Sequence, residues 1–398
     1  MTENAPAGDS IHRFEVMSVD LPFRLTFKHA AAERTLSSSI FVRCTTASGA
    51  VGYGESLPRK YVTGESQRST HELLRDELLP RLIGRSFDDY DQVRQFLMQC
   101  NGKAPTEWGL ASRPQTAAWC AVDLALLDAF GHHFEQPALG DASNVPNPDY
   151  RYSAVISASG GWPLYKTLLK LRLFGIRQVK VKLGGGIDLD AIRTIGRALG
   201  RHSDVRIDLN MLWSNDEALQ AMPNYHRAGV QSFEQPVPAD QLEAMAELVE
   251  KTGLYVMADE SLNDADSLER LIKMRACSAV NVRVSKCGGL IAAIARCRRA
   301  VDAGMMLQVG CQVGESSLLS AAQLALMAQV DDIRYLEGCF ATHLLEKDPV
   351  SPELRFGHGG KPPSRPRGNG LGVTIDGDYL EQCTTRCDEV TQCHADKE

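Results

Sequence analysis

Between Tyr152 and Glu337 short apolar runs alternate with longer amphipathic ones, and few folds accommodate such a rhythm. The runs are Tyr152–Ile156, Gln178–Leu183, Val205–Asn210, Val230–Pro236, Tyr255–Glu260, Ala279–Lys286, Met306–Val313 and Arg334–Glu337. Each is short, rich in β-branched or aliphatic residues, and reads as a strand. Helical patterns fill most gaps, as in Asp188–Leu199, Ala239–Thr252 and Leu290–Ala303. Eight strands joined by helical crossovers at steps of about 25 to 30 residues match a closed parallel barrel of ~250 residues. The expected fold is therefore α/β, a (β/α)8-type barrel; a doubly wound open sheet is the alternative.

Polar residues recur at the C-terminal ends of these strands. The second ends in Lys180-Val181-Lys182, the third in Asp208-Leu209-Asn210 and the fourth in Glu234-Gln235-Pro236. The fifth ends in Asp259-Glu260, the sixth in Lys286-Cys287-Gly288-Gly289, and the seventh leads into Gly314-Glu315. In a barrel these ends converge on one face, where active sites form. A charge deep in an apolar strand is costly unless it is paired or ligated. A structural ion-pair network would account for any single residue, but not for the set in register. Asp208, Glu234 and Asp259 would repel one another without a cation between them, and all-oxygen donors favour Mg2+, with Mn2+ as the alternative. Lys182 and Lys286 lie on either side of this trio in chain order, placed to serve as bases. Lys180 shares the face of Lys182.

Residues 1–145 have a different texture. Ile40–Arg43 and Val51–Tyr53 read as strands joined by a turn at Ser48-Gly49. A polar loop, Leu57–Ser66, follows, then helices over Leu73–Leu82 and Gln115–Phe130. Gly140–Pro148 reads as a linker into the barrel, residues 146–350. The remainder, 351–398, is rich in Gly and Pro. Leu371–Ile375 within it is expected to be a strand returning to the N-terminal region, ahead of a tail without clear structure. That tail holds Cys383, Cys387, Cys393 and His394, whose spacing lacks the paired knuckles of a zinc site. Gly184-Gly185-Gly186 has neither phosphate-loop nor dinucleotide spacing and reads as a flexible connection. The formal net charge of -7 argues against nucleic acid and anionic membranes as partners. No apolar run is long enough to span a bilayer. The 11 cysteines show no disulfide framework, which fits the reducing cytoplasm.

Lys180-Val-Lys182, Asp208-Leu-Asn210, Glu234-Gln-Pro236, Asp259-Glu260, Lys286-Cys-Gly-Gly289 and the ending Gly370-Leu-Gly-Val373 together resemble the enolase superfamily, in its muconate lactonizing enzyme subgroup. Enolase-type sites pair a Lys or His base with Mg2+. The resemblance implies an N-terminal α+β capping domain, completed by the C-terminal segment, over a barrel that binds Mg2+ through Asp208, Glu234 and Asp259. It implies Lys182 and Lys286 as acid and base, Lys180 and Asn210 as electrostatic support, and Glu315 near the substrate. The capping loop with Arg59, Lys60 and Tyr61, beside Phe23–His29, would set specificity. Dipeptide epimerases of the subgroup often carry Asp-x-Asp at the end of strand eight. Here Glu337 matches the second acid, while Tyr335 stands in place of the first. The implied reaction is α-proton abstraction from a small carboxylate through an enediolate. Racemization or epimerization of a dipeptide or N-acyl amino acid is favoured. A muconate-type cycloisomerase or an o-succinylbenzoate synthase-like dehydratase is the alternative, and a non-catalytic binding protein a remote one. The resemblance further implies a homo-oligomer.

Overall fold

The computed structural model describes residues 6–29, 32–140, 147–157, 160–183, 187–200 and 202–392. Eight parallel strands form one sheet in sequential order: Ala154–Ile156, Gln178–Lys182, Asp204–Asp208, Val230–Glu234, Tyr255–Ala258, Ala279–Arg283, Met306–Gly310 and Ile333–Leu336. A parallel bridge from Tyr152 to Leu336, with Ser153 N–H donating to the Leu336 carbonyl at 2.8 Å, joins first to last. The sheet thus closes into the expected barrel, and the open-sheet alternative falls.

Alternation explains why these sequences fit a barrel. Val179, Val181, Ile207, Phe233, Val280 and Val282 are fully buried and belong to the main apolar core. The residues of opposite parity, among them Lys180, Arg206, Asp208, Glu234, Asn281 and Gln308, are also buried and bond one another, so the barrel interior is polar. Four of the crossover helices open with a side-chain cap: Asp188 on Ala191 N–H at 2.8 Å, Ser214 on Glu217 N–H at 3.4 Å, Asp264 on Ser267 N–H at 2.8 Å, and Ser316 on Leu318 N–H at 3.1 Å.

The N-terminal domain is a long antiparallel hairpin, Asp9–His29 with Ala32–Thr46, extended by Val51–Ser56. The buried helix Thr116–His133 lies directly on that third strand. Gly52 and Gly54 permit the approach, since a Cβ on Gly54 would stand 1.9 Å from the Ala121 carbonyl oxygen. The helical stretch expected over Leu73–Leu82 starts earlier, at Gln67, and passes into a wider-wound turn over Leu74–Leu78.

The returning strand differs from expectation. Thr374–Ile375 pairs with Val350–Ser351, while Thr384–Val390 is the segment that runs antiparallel to the first strand, with Phe14 opposite Val390. Cys383 and Cys387 sit at the entry to and within that strand, and Cys387 is exposed. Cys393 and His394, like Gly184–Gly186 and most of the linker, lie outside the described residues. Among the described residues no helix is long and apolar enough to cross a membrane.

Candidate active site

Strand register builds the site. Lys182 pairs with Asp208, and Asp208 with Glu234, so three charged residues form one rung across neighbouring strands. Glu234 pairs with Met257, which places Asp259 two residues further on, on the same face. Lys182 Nζ lies 3.4 Å from Asp208 and 3.3 Å from the Asn210 side-chain oxygen. Lys286 Nζ approaches from the turn after the sixth strand, 2.8 Å from Asp259 and 2.8 Å from the Asn281 carbonyl. The two lysines therefore hold opposite flanks of the carboxylates.

Lys180 stands in the middle of the barrel, 2.6 Å from Glu337, 3.3 Å from Glu234 and 3.6 Å from Asp208. Burial works against its charge, but Glu234, Glu337 and Asp208 raise its pKa above the ordinary lysine value. Burial likewise opposes ionisation of Asp208 and Asp259. Lys182 and Lys180 beside the first, and Arg283 and Lys286 beside the second, hold both below the usual carboxylate range. Glu234 goes the other way: burial pushes it up to about 7 against the pull of Lys180.

Two cations were not foreseen from sequence. Arg283 bonds Asp259, approaches Glu234 at 3.7 Å and donates to the Gln312 side chain at 2.9 Å. Arg206 donates to Glu337 at 2.9 Å and to Ser153, and its guanidinium lies 4.0 Å from the Tyr335 ring centre. Arg206 shares the inward parity of Asp208, and Arg283 that of Asn281, a signal present in the sequence but masked by the ease with which a lone arginine reads as solvated.

A cavity of about 680 Å³ opens over this cluster. Lys180, Lys182, Asp208, Asn210, Arg283 and Glu337 line its floor. Glu234, Asp259 and Lys286 are fully buried and do not line it; Arg283 touches both acids from the cavity side. Glu315 is buried, accepts from Gln312 N–H at 2.6 Å and is pushed by burial up to about 7. It too lies off the cavity wall. Of the capping-loop residues, Tyr61 lines the cavity and Lys60 is exposed outside it. Arg59 is buried and donates to the carbonyls of Ser38 and Pro58, both at 2.9 Å, so it ties the loop down. Arg34, whose guanidinium lies 5.7 Å from the Tyr61 ring centre, also lines the wall.

The donor chemistry suits a hard divalent ion. Asp208, Glu234 and Asp259 supply carboxylate oxygens only, and Glu260 beside them keeps a buried Oε2 without a hydrogen-bond partner. As they stand, no three such side chains among the described residues close on a single point, because Lys180 and Arg283 share the acids.

Two family descriptions match the chain: "Mandelate racemase / muconate lactonizing enzyme, N-terminal domain" over residues 12–139 and "Enolase C-terminal domain-like" over residues 166–379. The chain is 29% identical to an N-succinyl-L-Arg/Lys racemase of Bacillus cereus, with 78% of this chain and 82% of the relative covered. It is 26% identical to muconate cycloisomerase 1 of Rhodococcus opacus, with 94% and 98% covered. The structure of a dipeptide epimerase from Cytophaga hutchinsonii, complexed with Mg and D-Ala-L-Val, superposes with a TM-score of 0.82 at 25% identity. The match covers 96% of this chain and all of that one. The closed barrel, the charged rung at its mouth and these likenesses together place the chain in the mandelate racemase/muconate lactonizing enzyme family of the enolase superfamily, as an isomerase.

Proposed function

We propose that the protein catalyses Mg2+-dependent α-proton transfer on a small carboxylate substrate and racemises or epimerises an N-acyl amino acid or dipeptide. The observation that carries this is the placement of Lys182 and Lys286 on opposite flanks of the Asp208–Glu234–Asp259 trio. Asp208, Glu234 and Asp259 would hold the ion, which supplies Lewis-acid stabilisation of a substrate carboxylate as it gains charge. Lys182 and Lys286 take and return the proton on opposite faces of the α-carbon. Lys180 faces the enediolate charge, a role suited to a lysine held in its charged form. On this reading the Arg283 side chain, which stands between Lys286 and the cavity, shifts when the substrate carboxylate enters.

Glu337 bears on the substrate. Lys180 and Arg206 already neutralise it, and Tyr335 replaces a neighbouring acid. A free substrate ammonium therefore finds no spare carboxylate at this position, which favours an N-acylated amino acid over a dipeptide. Arg34 and Lys170 on the cavity wall suit a second negative group at the far end of the acyl chain. The same reading carries a cytoplasmic homo-oligomer whose partner is the small carboxylate, not nucleic acid or a membrane.

The test is incubation in D2O with Mg2+ and a set of N-acyl amino acids and dipeptides, read by mass spectrometry. The expected result is a gain of a single mass unit at the α-carbon, abolished by chelation. Lys182→Ala and Lys286→Ala should each lose exchange from one enantiomer. Absence of exchange throughout, with a spectral change on muconate instead, would move the assignment to cycloisomerization.

A further inference from the structure

The opposite end of the barrel, where the strands begin, holds a cavity of about 1020 Å³. Its chemistry is the reverse of the acidic mouth. Arg151, Arg172, Arg177, Arg334 and Lys361 line it, together with His202 and His358. Asp204 is the one carboxylate among its described lining residues. The chain as a whole carries a net charge of -7, so this concentration of cations is a local departure.

The fold engages three of those five cations. Asp204 is held by Arg334 at 2.9 Å and by the Tyr335 hydroxyl at 3.1 Å. Arg172 donates to the Ala198 carbonyl at 3.1 Å, and Arg151 to the carbonyls of Pro148 and Tyr150 at 2.6 and 2.7 Å. A cation at a helix C-terminus offsets the helix dipole, which accounts for Arg172. It does not account for Arg177, just before a strand, or for Lys361, just after the turn His358–Gly360. Neither has a carboxylate partner among the described residues, and both are exposed to the cavity's solvent.

We propose that this cavity is a second binding site, for a small organic molecule bearing a phosphate or pyrophosphate. Several cations around one concave space favour a multivalent anion, and guanidinium groups pair with phosphoryl oxygens two at a time. The volume exceeds what inorganic phosphate fills and stands at the upper end of small-molecule pockets. The site is wired to the mouth. Asp204 holds Tyr335, the Tyr335 ring packs on Arg206, Arg206 binds Glu337, and Glu337 binds Lys180. An anion that draws Arg334 from Asp204 acts on the first link of that buried series.

Titration calorimetry of the full chain, metal-free and at fixed ionic strength, tests this with inorganic pyrophosphate and inorganic phosphate as probes. The expected result is saturable binding of pyrophosphate, tighter than phosphate. It should weaken at least about tenfold in the double variant Arg177→Ser/Lys361→Ser, whose melting temperature and α-proton exchange stay as in the parent. No saturable heat up to about 10 mM, a concentration that corresponds to negligible affinity, would overturn it. So would binding that survives the double variant and disappears in Lys182→Ala, which would put the anion at the acidic mouth. The result is independent of which carboxylate the mouth accepts.

Discussion

Glu337 is where the choice between a structural and a substrate-binding role is sharpest. Its two oxygens each meet a cation, Lys180 at 2.6 Å and Arg206 at 2.9 Å, and it is almost fully buried. Burial raises its pKa, but Lys180 and Arg206 win and hold it below the usual glutamate value. Removing one member of a buried, paired set leaves the others uncompensated and costs about 3–5 kcal/mol. Glu337→Gln should therefore lower unfolding stability by that order in urea melts, with kcat falling because Lys180 loses its anchor. A residue that only met the substrate would raise KM and leave the melt unchanged. The sequence showed Glu337 as a candidate but not its partners. Arg206 lies on another strand, 131 residues away in the chain, and only the closed barrel brings them together.

At the scale of elements, close approach matters as much as pattern. The strand Val51–Ser56 meets helix Thr116–His133 through Gly52 and Gly54, where an added Cβ would fall 2.0 Å from Ala129 N and 1.9 Å from Ala121 O. Backbone cannot yield as a flexible side chain does. Gly54→Ala is expected to destabilise by about 3 kcal/mol or more, by overpacking, as read from the shift of the thermal midpoint. All eight barrel strands were legible because each buries an apolar face of alternate residues under helices. Their C-terminal ends were not. The sequence carries strand character through Asn210 and Gln235, but these adopt φ of 43° and 40° and turn the chain out of the sheet. Such left-handed positions at the strand ends aim the site's loops, and side-chain pattern does not report them. The last strand, Thr384–Val390, was missed for the opposite reason. Its residues alternate between half-buried and exposed and are mostly polar, so it has no apolar face to read, and backbone pairing to the first strand defines it.

At the scale of the molecule, the two domains are joined through buried carboxyls. Asp123, on the N-terminal domain's helix, accepts from Leu290 N–H at 2.6 Å, at the start of a barrel helix. Glu55 accepts from Ser316 N–H at 3.1 Å in the loop after the seventh strand. Within the N-terminal domain, Glu65 accepts from Ala117 and Ala118 N–H at 2.8 and 2.9 Å. In each, burial outweighs the hydrogen bonds that favour the anion, and pKa rises to about 8, about 8 and about 7 respectively. The unfolded chain ionises these groups near their ordinary values of 3.8 and 4.5. Between those values and the folded ones, the unfolded state has released protons that the folded state keeps. Stability therefore falls as pH rises across that window and levels off above it. Each tenfold difference in proton affinity between the two states corresponds to about 1.4 kcal/mol at most. Asp208, Asp259 and Glu337, held low, act oppositely, contributing stability that is lost as pH falls through their folded values. The thermal midpoint should consequently peak in mildly acidic solution and decline toward pH 8. The decline should be shallower in Glu65→Gln, which starts from a lower midpoint because it replaces one acceptor with a donor. Hydrogen exchange at Leu290, corrected for its intrinsic base-catalysed rate, reports the same linkage at the domain junction, its protection falling as pH rises toward about 8. A midpoint that instead rises steadily from pH 5 to 8 would mean that these carboxyls are ionised in the folded protein, and that helix N-termini outweigh burial at both junctions.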